Sequence, residues 1–123
     1  MTISTLKSKE AKAFVPARDF ELSKRFYEAL GFDCIWSTGQ VACFKHGNSA
    51  FLLQNFHVAE CTDNFKMHLL VEDVDKWWDH ISKVADEFGI RVEQPEDRPW
   101  GMRDFPLLDP SGVLWRIGQP VAQ

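Results

Sequence analysis

The chain has 123 residues, 45% hydrophobic and 26% charged, the balance of one globular domain expected to span residues 1–123. Its formal charge of −4, from 14 Lys plus Arg against 18 Asp plus Glu with no basic cluster, makes nucleic acid a poor partner. No apolar run nears the roughly 20 residues of a bilayer span, and "MTISTLKSKEAKAF" lacks a hydrophobic signal segment, so a cytoplasmic protein with no membrane association is expected.

In chain order, "AKAFVPA" (11–17) reads as a first strand. Asp19 then offers a carboxylate to the open amides of a helix's first turn, and Gly31 suits the left-handed residue that closes it. Between them Phe26, Tyr27 and Leu30 share one face. Three strands follow, "DCIWS", "VACFK" and "AFLLQ", separated by turns near Thr38–Gly39 and His46–Gly47–Asn48. The segment "HVAECTDNF" (57–65) leads to a second strand, "FKMHLLV". Asp73 and Gly89 then bracket a second helix, in which Val74, Trp77, Trp78, Ile81, Val84, Ala85 and Phe88 keep a 3.6-residue rhythm. Trp77 and Trp78 are expected as core anchors. After it come "RVEQ", a polar loop containing proline, "RDFPLL", a tight turn at Asp109–Pro110–Ser111–Gly112, and "VLWRI".

The two halves, about 12–56 and 65–118, are one unit used twice: strand, helix, three strands. Neither half holds enough core to stand comfortably alone. The expected fold is therefore α+β, two βαβββ modules forming one curved mixed sheet, with helices on the convex face and a groove on the other. Such a groove is where a ligand is sought. Cys34, Cys43 and Cys61 form no CxxC pair and are expected as small buried residues.

Trp100, between Pro99 and Gly101, lies in a loop before a strand, and no periodicity assigns its indole to the core. His68 shares strand parity with Lys66 and Leu70. Phe44 and Trp36 either line the groove or pack across a hairpin. Trp115 alternates with Arg116 and is expected in the core, which leaves Arg116 to the groove. Arg103 either meets the polar end of a ligand or pairs with Asp104 or Asp109. His46 in its turn and His80 on the second helix are expected in solvent, and His57 has no evident partner. No GxSxG elbow, Cys–His arrangement or glycine-rich phosphate loop is present, and the neighbours Glu72–Asp73 and Glu96–Asp97 point apart instead of forming acid–base pairs.

The stretches "VPARDFELSKRFYEALGF", "LLVEDVDKWWDHI" and "PWGMRDFPLLDPSGVLW" resemble the vicinal-oxygen-chelate superfamily (glyoxalase/bleomycin resistance protein/dioxygenase) over residues 12–118. "PWG", "RDF" and "DPSG" in that order are similar to the bleomycin-resistance branch. The resemblance implies a homodimer with ligand grooves across the subunit interface, an N-terminal strand exchanged about a hinge such as Pro16, and a tryptophan at the Trp100 position stacking on flat heteroaromatic ligands. Metal-dependent enzymes of the superfamily hold a divalent ion with His and Glu from sheet strands. Here the matching positions carry Lys12, Lys66 and Arg116, with the fourth among Leu52, Leu53 and Gln54. Three cationic groups repel a metal ion.

The expectation is a small-molecule binding protein, similar to the bleomycin-resistance proteins, that sequesters a flat or partly aromatic ligand in a dimeric groove. Its ligand-binding residues would be Trp100, His68, Phe44, Trp36, Arg116 and Arg103. No metal, cofactor or catalytic residue is assigned. The alternative is a diverged lyase, isomerase or dioxygenase of the same fold.

Overall fold

A computed structural model describes residues 5–121. Two helices are anchored as their sequences require. Helix α1 (Phe20–Leu30) starts where Asp19 accepts a hydrogen bond from the Leu22 amide at 3.1 Å, and ends at Gly31 with φ of 115°. The longer helix of the second half, Val74–Phe88, repeats the device: Asp73 accepts from the Lys76 amide at 3.2 Å, and Gly89 takes φ of 66°. Both glycines sit in the left-handed region, where any side chain would be strained.

The strands of the first half are β1 (Phe14–Ala17), β2 (Asp33–Ser37), β3 (Val41–His46) and β4 (Ser49–Asn55). A short helix, α2 (Ala59–Asp63), occupies the joining segment, for which no element was expected. The second half follows with β5 (Lys66–Leu70), the long helix as α3, then β6 (Glu96–Asp97), β7 (Met102–Leu108) and β8 (Leu114–Pro120). Each half hydrogen-bonds into its own four-stranded sheet, β1-β4-β3-β2 and β5-β8-β7-β6. The layer expected as one curved sheet is thus built from two ladders, each the product of one βαβββ module. β1 runs parallel to β4 of its own chain, from Phe14 opposite Leu52 to Ala17 opposite Asn55. An exchange about Pro16 is not required to complete the sheet.

The strand expected at 91–94 is corrected. That segment makes one isolated bridge, Val92 with Leu107, and the fourth strand is the two-residue β6. β7 carries Pro106, which has no N–H to give a ladder, and β6 pairs only with Arg103 and Asp104, before that proline.

The core lies between the sheets and the two long helices and draws on both modules. Tyr27 of α1 packs edge-on against Phe51 at 4.8 Å between ring centroids, and Trp115 of β8 lies 5.7 Å from Tyr27 and 5.5 Å from Phe51. Trp115 is buried, as its parity requires. Its indole N–H donates to the Tyr27 hydroxyl at 2.9 Å, which in turn donates to Asp109 at 2.5 Å. The Asp109 carboxylate also accepts from the Ser111 and Val113 amides, both at 2.8 Å. The Ser111 hydroxyl accepts from the Arg18 amide at 2.8 Å. The "DPSG" turn is therefore a tie between the modules, and every donor in it has a structural use. Burial pushes the Asp109 carboxyl above its ordinary value, against the Tyr27 and backbone hydrogen bonds that pull it down.

Trp77 and Trp78 are half-buried at the edge of the core instead of anchoring it. The Trp78 indole reaches out to the Glu93 carbonyl at 3.1 Å. Of the cysteines only Cys43 is buried; Cys34 is half-buried and Cys61 exposed on α2. A 3.6-residue rhythm marks the side of a helix that faces the core, and residues on the flanks of that stripe share the rhythm without the burial. No helix among the described residues is long and apolar enough to cross a membrane.

Candidate functional site

Because side chains alternate across a strand, the helices claim one face of each sheet and leave the other bare. In the second sheet Met67, Leu69, Phe105, Leu107, Trp115 and Ile117 turn inward. The opposite parity brings Lys66, His68 and Leu70 of β5 beside Leu114 and Arg116 of β8, and these beside Pro106 and Leu108 of β7. In the first sheet the bare face carries the cross-strand row Phe14, Leu52, Cys43 and Trp36. Phe14, Trp36, Leu70 and Leu108 are large apolar side chains left exposed on this side.

The expected groove residues divide accordingly. His68 and Arg116 lie directly opposite one another on the bare face, and Trp36 lies on the bare face of the other sheet, 47% exposed. Phe44 is corrected. It is fully buried, stacked on Phe51 at 5.7 Å, because its parity is that of the helix-facing row and not that of Cys43. Arg103 is also corrected as a groove residue. Its parity takes it to the helix side, where its guanidinium donates to Asp75 of α3 at 3.0 Å and to Asp97 at 3.1 Å. The pairing partners are not Asp104 or Asp109, which the sequence offered. Asp75 and then Asp97, through their hydrogen bonds, hold the Arg103 guanidinium above its ordinary pKa.

Trp100 occupies a hairpin tip between β6 and β7. The Arg98 amide donates to the Met102 carbonyl at 2.6 Å, and the Gly101 amide to the Arg98 carbonyl at 3.1 Å. The turn is pinned to the end of β8 by a bond from the Val121 amide to the Gly101 carbonyl at 2.9 Å. The frame is fixed, yet the indole is 65% exposed. Trp100 is therefore not core, and its ring stands in solvent.

Two features escaped the sequence. Asp104, 2% exposed, accepts from Arg98 at 2.8 Å and from Arg116 at 3.1 Å, both on the same oxygen. Opposite it sits Gly118, where a Cβ would lie 2.8 Å from the Asp104 Cβ and 3.0 Å from the Arg103 carbonyl. A side chain at position 118 would collide with Asp104 and the β7 backbone, so the close approach of the two strands here requires glycine. Strand alternation hints at this trio, but only the register of β7 on β8 brings it together. His46 is the second: instead of hanging in a turn, it ends β3 half-buried, 5.0 Å from the Trp77 ring and 5.7 Å from Phe32. His80 is exposed as expected and its Nε2 lies 2.9 Å from the Ala29 carbonyl, linking the two long helices.

The metal-ligand positions of the superfamily do not fit a metal ion here. Lys12 pairs with Glu10, Lys66 stands exposed, and Arg116 is tied to Asp104. Ammonium and guanidinium groups have no lone pair to donate, and among the described residues no three His, Cys, Asp or Glu side chains converge.

The duplicated modules and their bare sheet face define a class of two-module α+β proteins. Residues 11–117 match the model of the glyoxalase/bleomycin resistance protein/dioxygenase superfamily, and the chain belongs to that family. It is 26% identical over 118 residues to a bleomycin resistance protein of Klebsiella pneumoniae, covering 89% of this chain and 91% of that one. Among solved structures, a bleomycin-binding protein complexed with bleomycin superposes with a TM-score of 0.77 at 25% identity, over 91% of this chain and 98% of the other. A lactoylglutathione lyase from Agrobacterium tumefaciens shares the fold at a TM-score of 0.68 and 19% identity, covering 91% and 94%.

Proposed function

We propose that this protein binds a flat, partly aromatic small molecule on the bare sheet face, in a groove completed by a second copy of the chain, and holds it without chemistry of its own. The observation that carries the reading is Trp100: a large indole on a hydrogen-bonded turn, with its surface in solvent and no role in the core. An exposed aromatic face can stack on a planar ligand, and stacking adds about 0.5–1.5 kcal/mol beyond area burial. Likeness to bleomycin-binding proteins supports the ligand class. The exposed Phe14, Leu70 and Leu108 supply apolar surface that a second subunit would remove from water.

Calorimetric titration with bleomycin, and native mass spectrometry for a copurified small molecule, test the reading. Trp100→Ala is expected to weaken binding of a flat heteroaromatic ligand about tenfold or more, with the unfolding midpoint nearly unchanged. A large loss of stability with unchanged affinity would return Trp100 to the core and overturn the proposal. Light scattering is expected to give a dimer at micromolar protein, and a monomer mass would remove the shared groove.

A further inference from the structure

The bare face of the second sheet is not uniformly apolar. Lys66 and His68 are two residues apart on β5 and so point the same way, and Arg116 stands across from His68 on the adjoining strand β8. Neighbouring strands lie about 4.8 Å apart and alternate residues about 6.8 Å apart, so the three basic side chains rise from one small patch. Lys66 and His68 are exposed and have no hydrogen-bond or ion-pair partner among the described residues. Of the Arg116 guanidinium only Nη1 is engaged, by Asp104; Nε and Nη2 have no partner among the described residues.

Asp104 does not cancel this patch. Its one bonded oxygen is shared between Arg98 and Arg116, so one carboxylate faces two guanidinium groups. Arg98 is otherwise consumed by Glu96 at 3.0 Å and by the Asp104 carbonyl. Arg116 is therefore oriented from below and left with donors to spare above. The carboxylate fixes the long side chain in advance, which reduces the ordering cost of binding, while the planar fork of free N–H groups suits a carboxylate, sulfonate or phosphate. Leu114 and Leu70 flank the patch with apolar surface.

We infer that the ligand of this face is an organic anion: an acidic group received by Arg116 with Lys66 and His68 beside it, and an apolar, flat body lying over Leu70 and Leu114. The inference rests on the binding role proposed above and adds to it the charge of the ligand. The residues that exclude a metal cation from this face are the ones that attract an anion. A cationic or neutral ligand would leave these charges uncompensated as the groove closes and water is expelled.

The test uses two dyes with the same aromatic body, 8-anilinonaphthalene-1-sulfonate and N-phenyl-1-naphthylamine, which lacks the sulfonate. Each is titrated by fluorescence against the full chain. The sulfonate is expected to bind about tenfold tighter or more, as a charge-assisted hydrogen bond implies, and to lose that advantage in Arg116→Gln while the neutral dye is unaffected. Lys66→Gln with His68→Gln, both at exposed positions where folding is not at risk, is expected to weaken the sulfonate several-fold in the same selective way, as is raised salt. Equal binding of the two dyes, with Trp100→Ala weakening both, would overturn the anion preference and leave the binding role standing. Failure of both dyes to bind would overturn both readings. Selective loss in Arg116→Gln without any effect of Trp100→Ala would uphold the anion site and remove the indole from it.

Discussion

Replacing Tyr27 by Phe removes one oxygen and strikes two partners. The Trp115 indole N–H, donating at 2.9 Å, loses its acceptor inside the core, and Asp109 loses the 2.5 Å donor on its second carboxylate oxygen. A buried donor left without a partner costs about 1–3 kcal/mol, and a hydrogen bond to a charged group contributes about 1.5–3 kcal/mol. Ring packing against Phe51 and Phe44 is retained, and the Ser111 and Val113 amides still hold the first oxygen of Asp109. The net loss is then expected near 3 kcal/mol, or roughly 9–15 °C in melting temperature for a chain of this size. The deficit also carries a pH signature. The Tyr27 bond pulls the Asp109 carboxyl down against burial, so without it the charged form is disfavoured further, and the loss is larger at pH 7 than at pH 4. Urea unfolding of both proteins at the two pH values measures this. A destabilisation below about 0.5 kcal/mol at both would refute the view that the Tyr27–Asp109–Trp115 chain ties the modules together.

In the wild type the Asp109 carboxyl is raised by burial, so its contribution is full below the unfolded value near 3.8 and is lost as pH rises through the folded pKa. Asp109→Asn lacks this titration and is expected to gain stability relative to wild type over that interval; parallel pH profiles in denaturant unfolding would contradict it. Gly118→Ala places a methyl group 2.8 Å from the Asp104 Cβ, and should cost about 1–3 kcal/mol by thermal melting while loosening Arg116. Trp115→Ala is expected to lose about 3–5 kcal/mol as a core aromatic, against little change for Trp100→Ala, and calorimetry of ligand binding should rank the two variants the other way round. Elemental analysis of protein purified without chelator is expected to show no stoichiometric divalent metal, and near-stoichiometric nickel, zinc, iron or manganese would reverse the assignment of Lys12, Lys66 and Arg116.

Much of the architecture was legible in the chain because its signals are local. Asp19 and Gly31, then Asp73 and Gly89, mark helix ends by satisfying backbone groups within one turn, and most strands follow runs of β-branched and aromatic residues between turn residues. The repeat of these signals predicts the doubled module. Strand parity likewise separates Trp115 from Arg116 and places His68 beside Lys66. Parity alone does not say which face of a strand the helices cover, and Phe44 shows the consequence: one residue in register separates a core ring from a groove ring. Arg103 and Arg116 look alike in sequence, yet on the helix side the first pairs with Asp75 of α3 and Asp97 of β6, while on the bare face the second pairs with Asp104. Of these partners, Asp97 is six residues from Arg103, but Asp75 is 28 from it and Asp104 is 12 from Arg116 along the chain. The same is true of Asp109, a turn residue by its neighbours and a buried acceptor by its contact with Tyr27, 82 residues away. Capping, alternation and turn chemistry are settled between near neighbours, and the sequence alone determined them. Which charges meet, which ring is covered and which is left in solvent are settled by segments that only the folded chain brings together.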